Sequence, residues 1–482
     1  MRRFRRTTLI IIFCLSVLAG LGLSRRISFE PSIWYLLLSV FCLLLIRRKN
    51  VTALILVMVL GAGLGLWRGG IYMQKLDELK SLSGQQVTIE VTATSDSVYG
   101  NSSQIEFTSN NAKLIEPSNQ VLAGNFRVSG FGEPMVYRGD RLKISGKLYP
   151  MRGSNQARIS YAQLQKVGLD NSWINNLTRR LAAGMQTALP EPNSSFGLGL
   201  LIGQRSTLPS ELTNQLVMVG LVHIVAVSGY NLTILVRASS KLKLRSKYQK
   251  LVLSLALISF FILMTGFSAS IVRAAIVSIL GLWAWYYGRQ ARPILILAFT
   301  AAITGIFNPF YVWGDLGWYL SFLAFFGVLI ISPMVVGKLF KRQPKLLISV
   351  AFDTLAAEIM TLPLIMAMFG QLSLVGLLTN VLVVPLIPFA MLLSTVAAGA
   401  GMLVPAMAGW FAWPANLLLT YILDIVRLFA SIPGIFLHRS ISPASMLYFY
   451  ALVLIVLAAT HKQQSNLKTT KITPHQNLDI PK

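Results

Sequence analysis

The sequence predicts a polytopic α-helical membrane protein of about 11–12 transmembrane helices that carries a small extracytoplasmic β-barrel of OB-like type. Three observations predict it. Hydrophobic residues make up 54% of the 482 positions, charged residues only 12%, and mean hydropathy is +0.62. A soluble domain carries about 25% charged residues, so most of this surface is built for lipid. Many apolar runs approach the ~20 residues a helix needs to cross a bilayer, where only helices and closed barrels satisfy their own backbone groups. Between residues 75 and 170 those runs stop and short alternating segments replace them.

The chain opens Met1-Arg2-Arg3-Phe4-Arg5-Arg6 and enters an apolar run over 7–23, with further runs at 32–46 and 51–67. A cleaved leader begins in the same way, but the two further runs favour an uncleaved first helix. Arg47-Arg48-Lys49 joins the second run to the third. Cytoplasmic turns carry such Lys/Arg excess, so the N-terminus lies inside and the third helix emerges outside. Residues 1–70 are thus expected to form the N-terminal transmembrane helices.

In the 75–170 region Val87, Ile89 and Val91 interleave with Thr88, Glu90 and Thr92. Further strands fit 104–108, 125–131, 141–148 and 157–167, separated by Asn, Ser, Gly and Pro clusters, and this pattern suits a small OB-like barrel. Alternation turns Leu142 and Ile144 inward and Arg141 and Lys143 outward. Lys147 and Tyr149 share the outward parity if no bulge intervenes at Gly146. On 125–131, read as the neighbouring strand, Phe126 and Val128 point in, and Arg127 and Phe131 take the other parity. Cations that hold phosphates and rings that stack on bases are what a single-stranded nucleic acid platform uses. An ordinary solvated face with incidental aromatics fits the same residues.

From Trp173 the chain returns to the membrane. Residues 173–189 have helical periodicity with Arg179-Arg180 on one side, as in a helix lying along the interface. Runs at 194–203 and 212–236 follow, the latter interrupted at Ser228-Gly229. Arg237, Lys241, Lys243, Arg245, Lys247 and Lys250, with no acid among them, mark a cytoplasmic loop. Further runs lie at 251–266, 271–288, 293–307, 314–336, 346–369, 374–399, 402–432 and 443–459. Counting crossings places the basic connections 288–292 and 337–345 and the tail 461–482 inside, and the β-rich region outside. Residues 173–460 form the second membrane domain in this reading.

Lys and Arg number 43 against 17 Asp and Glu, a net charge of +26. Basic inner loops account for such an excess, and so does contact with a polyanion. Cys14 and Cys42 both sit inside apolar runs and read as packing residues. The four histidines make no H-x-x-x-H pattern and no G-x-x-x-x-G-K-[ST] is present. No metal, no cofactor and no nucleotide-driven motor is therefore expected.

Polar residues inside the apolar runs carry the chemistry. Segment 220–231 holds His223, Ser228 and Asn231 in a stretch broken by glycine. It reads either as unwound backbone lining a wet cavity or as a kinked helix with satisfied small polar groups. His223 and Ser228 are about 140° apart on a helix and lack both an orienting acid and a G-x-S-x-G, which argues against a hydrolase. Arg273, Asp315, Asp353, Glu358, Asp424 and Arg427 each cost roughly 2.5–3.5 kcal/mol at a helix centre. Arg273 lies near a helix start, within snorkelling reach. Asp315 opens a helix whose positive dipole end favours it, and Asp424 and Arg427 are spaced to pair. Glu358, mid-run between Thr354 and Thr361, has no such ready explanation.

Four ordered segments carry a resemblance to a known family. They are Gly220 to Leu235 with His223, Ser228 and Gly229; Thr265-Gly266 through Arg273-Ala274; Asp315-Leu316-Gly317 through Ser321-Phe322; and Glu358 through Pro385 with Asn380. Together with the N-terminal helices and β region, about residues 1–390, they resemble the ComEC competence proteins, inner-membrane DNA-uptake channels of transformable bacteria. The resemblance implies a channel for single-stranded DNA whose motif residues are His223, Ser228, Gly229, Asn231, Arg273, Asp315, Ser321, Glu358 and Asn380. It also implies an N-terminal OB-containing region, in which the alternation read above gives Arg127, Phe131, Arg141, Lys143, Lys147 and Tyr149 as the expected DNA-binding face, an outer DNA receptor protein, and a cytoplasmic helicase or translocase as driver. Two departures stand out. The family's S-G-L-H is Ser228-Gly229-Tyr230-Asn231 here, so a second imidazole is absent. Many members also carry a C-terminal metallo-β-lactamase-like domain, but no H-x-H-x-D-H occurs here, so neither nuclease activity nor a metal site is expected of this chain. A transporter or flippase for another anionic substrate is the alternative reading.

Overall fold

The computed structural model describes residues 4–27, 34, 51–99, 104–117, 119–122, 124–151, 155–169, 172–204, 206–225, 229, 231–232, 236, 246–266, 269–289, 292–340, 344 and 346–470. Apolar composition makes most of these helical. Among them, seven helices are long and apolar enough to cross a membrane: Arg6–Leu23, Val51–Ser81, Lys247–Thr265, Leu316–Leu339, Ile348–Phe369, Gly376–Leu403 and Pro405–Ala430. Shorter apolar helices accompany them, among them Pro293–Phe307. The predicted run 32–46 falls almost wholly outside the described residues.

The helix that the sequence ended near Trp67 runs on to Ser81 and leads into the sheet. Its strands are β1 Gln86–Ala93, β2 Val98–Tyr99, β3 Gln104–Glu116, β4 Gln120–Val121, β5 Phe126–Phe131, β6 Asp140–Pro150 and β7 Ala157–Leu169. β1 pairs antiparallel with β3, β3 with β5, β5 runs parallel to β7, β7 pairs with β6, and β6 returns to β1. The two short strands β2 and β4 add to β3. Val87, Ile89, Phe107, Phe126, Val128, Leu142, Ile144, Leu148 and Ile159 pack into one buried cluster, the expected use of period-two alternation. β5 and β6, read from the sequence as neighbours, are separated by β7.

After the sheet, the helices have a core where Trp173–Ala188 and Asn193–Ile202 meet Ile387–Leu403 and Ala408–Ala430. The first of these helices packs one face into that core. Gly184, Met185 and Ala188 are buried, and a Cβ on Gly401 would come within 1.9 Å of the Gly184 carbonyl oxygen. Glycine at both positions permits this close backbone approach, as small residues do in membrane helix pairs. The predicted 212–236 run breaks earlier than its Ser228-Gly229 pair suggests. Ser210–Met218 ends, and Gly220 takes φ +75° before the turn Val222–Val225 begins. That backbone angle is open to glycine and strained for other residues. Leu316–Phe326 continues through the π-helical turn Gly327–Ile331 into Ser332–Leu339.

Three side chains join the ends of distant elements. Arg292 Nη1 donates to Thr7 Oγ1 at the start of the first helix (2.8 Å), while Trp313 Nε1 donates to Leu21 O near its end (2.6 Å). Arg138, in the β5–β6 connection, donates from Nη1 to Met264 O (2.9 Å) and from Nη2 to Leu263 O (3.0 Å). These carbonyls close Lys247–Thr265, the end of a helix that favours a cation.

Candidate functional site

Two sets of residues were expected to act, one on the sheet and one in the membrane. On β6 the alternation is intact. Arg141, Lys143, Lys147 and Tyr149 are exposed, whereas Leu142, Ile144 and Leu148 are buried. The condition at Gly146 is met because the extra residue sits on the partner strand. Ser145 pairs with Gln163 but Lys147 with Ser160, and Tyr161 within that step has φ 55°. Eight residue steps from Arg141 to Tyr149, at about 3.3 Å each, give an outward line about 26 Å long.

β5 contributes less directly. Phe131 is 52% exposed, but Arg127 is held by Glu106 of β3 through Nη2. Arg158 of β7, absent from the expected set, stands between the two halves: it is the register partner of Tyr149 on one side and of Arg127 on the other. Its Nη2 lies 3.8 Å from the other oxygen of Glu106, and its Nε donates to Ser129 Oγ at 3.1 Å. Tyr161, 70% exposed, approaches Phe131 with ring centroids 6.4 Å apart. Period-two parity on 157–167 already paired Arg158 and Ser160 against Ala157 and Ile159, which was the available signal for Arg158. Tyr161 follows from the bulge, which parity does not encode. Arg141 and Lys143 face Thr92 and Glu90 of β1. The surface is therefore a β6 line with a lateral row Tyr149–Arg158–Arg127, tied at its far end by one acid.

Within the helices, residues far apart in sequence meet. Thr379 Oγ1 donates to Val219 O (2.7 Å), and a Cβ on Gly220 would lie 3.2 Å from Gly376 Cα. Asn380 Nδ2 donates to Glu358 Oε1 (3.0 Å), answering the carboxylate that sequence left unexplained. Thr361 instead serves the backbone carbonyls of Ala357 and Glu358. Asn380 Oδ1 and Ser373 Oγ are buried with no partner among the described residues. His223 is exposed, its Nδ1 3.1 Å from Gly220 O, and Asn231 is buried with Nδ2 donating to Leu200 O at 3.3 Å.

A second group adjoins the first through Gly229, where a Cβ would meet Ala274 at 2.7 Å and Phe325 at 3.3 Å. Next to Ala274, Arg273 is 2% exposed. It does not snorkel. Its Nη2 donates to Gly317 O (2.9 Å), while Nε and Nη1 are buried with no partner among the described residues. Asp315 caps Leu316–Phe326 by accepting from Trp318 N (3.2 Å), as its place at a helix start leads one to expect. Ser321 is half-buried on that helix. Asp424 and Arg427 form an exposed pair (3.4 Å), and Asp353 accepts from Ser332 Oγ (2.5 Å). Ser228 lies outside the described residues.

The segments so assembled coincide with a known family. The competence protein family model matches residues 200–463, more than half of the chain. ComE operon protein 3 of Bacillus subtilis (strain 168) is 23% identical over 303 residues, covering 62% of this chain and 38% of that relative. Competence protein ComA of Neisseria gonorrhoeae is 25% identical over 376 residues, covering 70% of this chain and 52% of that relative. The chain thus spans less than two thirds of the length of either. No solved structure matches it. With its matched span holding every one of the converging membrane residues, this chain belongs to the competence protein family.

Proposed function

We propose that this chain is a cytoplasmic-membrane channel for uptake of single-stranded DNA in transformation. In this reading the sheet of residues 86–169 is an extracytoplasmic OB-like barrel that receives the strand. The observation that carries the proposal is the meeting of four distant polar segments inside an apolar bundle, with buried Arg273 N–H groups and Asn380 and Ser373 oxygens left unpaired among the described residues. Buried polar atoms in folded proteins have partners. Water supplies a partner to all of them, a passing phosphate only to the Arg273 and Ser373 donors, and irregular backbone such as that at Gly220 is tolerated at membrane depth where protein buries it or water lines it. His223, Ser228, Gly229, Asn231, Arg273, Asp315, Ser321, Glu358 and Asn380 act as the channel set.

The circular strand pairing with its single parallel step supports the OB-like assignment. Sidedness is supported by the contacts between element ends. Lys247–Thr265 has its basic approach at one end and Arg138 of the sheet at the other. Arg292 adjoins the start of the first helix, on the side of the basic N-terminus, and Trp313 its far end. Basic connections, both termini and the 461–482 tail then fall in the cytoplasm, with residues 1–70 and 173–460 in the bilayer. A strand of phosphates also needs a receptor outside and a helicase or translocase inside, which are expected as separate proteins.

Binding of a fluorescent single strand to the purified full chain tests the receiving surface. Arg141→Gln with Lys143→Gln is expected to weaken binding and to flatten the salt slope by about 1.4, at ~0.7 for each phosphate no longer neutralised. An unaltered slope removes the β6 line from the strand's path. Equal affinity for unrelated polyanions favours a transporter of another anionic substrate.

A further inference from the structure

The groove between Arg6–Leu23, Ala269–Tyr286 and Pro293–Phe307 is unrelated to the channel residues. It encloses about 560 Å³. Ile10, Ile296 and Phe299 line it with apolar side chains, and the small Ala284 lines it too. Trp283 and Tyr287 also line it and are 55% and 69% exposed. Arg289 and Arg292 also line it. Both arginines lie on the connection between two apolar helices, so they are at the level of a membrane surface. Arg292 spends one N–H on Thr7 Oγ1 and stays exposed. Among the described residues no acid lines the groove.

A hydrocarbon slot with Trp and Tyr at the interface and two guanidiniums at its head has the chemistry of a phospholipid. Aromatic side chains occupy the headgroup level, and basic pockets between transmembrane helices hold anionic headgroups. Guanidinium binds phosphate through paired N–H donors. We propose that this groove is a binding site for an anionic glycerophospholipid, its acyl chain along the helices and its phosphate between Arg289 and Arg292. Free phosphate shares the head chemistry but gains nothing from the apolar walls, so the commitment is to the lipid.

Native mass spectrometry of the purified full chain, given phosphatidylglycerol or phosphatidylcholine of identical acyl chains, tests this. Phosphatidylglycerol is expected to be retained at least fivefold more than phosphatidylcholine, a margin of about 1 kcal/mol, and to raise the melting temperature through preferential binding to the folded state. Arg289→Gln with Arg292→Gln is expected to abolish the preference. Lys247→Gln with Lys250→Gln removes equal charge elsewhere and is expected to leave it intact. Should both pairs lower retention equally, bulk positive charge holds the lipid and the site is wrong. Ala284→Trp fills the groove with both arginines present, so retained selectivity in that variant also overturns the proposal. Displacement of the lipid by millimolar inorganic phosphate does so as well, because the site then recognises the head alone.

Discussion

Glu106 is the residue on which the cationic sheet surface turns. It ties Arg127 and lies beside Arg158, so it orients both guanidiniums while cancelling part of their field. Glu106→Gln is expected to raise affinity for single-stranded DNA two- to fivefold at low salt and to steepen its salt dependence. Fluorescence anisotropy on the full chain measures this, and unchanged binding takes the lateral row out of the interface. Asp96 poses a different question. Its Oδ1 accepts from Arg138 N at 2.8 Å. Burial pushes its carboxyl above the usual carboxylate range, and Arg138 offsets part of the rise. The folded chain then holds this proton more tightly than the unfolded one. Its contribution to stability is full below the ordinary carboxylate range and is lost as pH rises through the folded value. Asp96→Asn keeps an acceptor for Arg138, so it is expected to raise the melting temperature at neutral pH and to change it little in acid. A lower melting temperature at neutral pH contradicts the assigned cause.

At the scale of elements, the sequence made the alternation of β6 fully legible, because one face of a strand must be apolar and the other wet. Arg141, Lys143, Lys147 and Tyr149 were therefore found in advance. Strand order was not legible in the same way. It depends on crossovers, and β7 inserts between β5 and β6. The sequence did not mark the break at Gly220, which rests on a backbone angle open to glycine, and Ser228 lies outside the described residues. Glu358 found its partner 22 residues on in Asn380, a contact that only packing creates. The Gly184–Gly401 approach is equally tertiary, and it carries an expectation. Gly401→Ala places a Cβ inside a backbone contact, so destabilisation of about 1–3 kcal/mol is expected, by analogy with overpacked cores. A thermal shift or a fall in yield in detergent reports it, and wild-type stability shows that the two helices separate easily. Arg138 links sheet to bundle, so Arg138→Gln is expected to speed amide exchange in the last turn of Lys247–Thr265 while sparing β1 and β6. Unchanged exchange there means the sheet is anchored by other contacts.

Over the whole molecule, apolar composition foretold the helices. Counting basic loops gives one expected orientation, and the contacts Thr7–Arg292 and Leu21–Trp313 show only which helix ends lie together. Composition says nothing of where polar segments meet. That is decided by packing, and here it gathers Arg273, Glu358 and Asn380 with the broken 210–225 region into the match to the competence family. The proposed channel requires that these segments enclose a path for DNA. Labelled DNA supplied to a transformable host, in a strain deleted for this gene and in the same strain restored with the wild-type chain or Arg273→Ala, tests it most directly. The expected result is DNA held at the surface of the deletion strain without reaching the cytoplasm, entry restored by the wild type, and entry not restored by Arg273→Ala made at wild-type level. Cytoplasmic DNA accumulating in the deletion strain at the parental rate contradicts the claim.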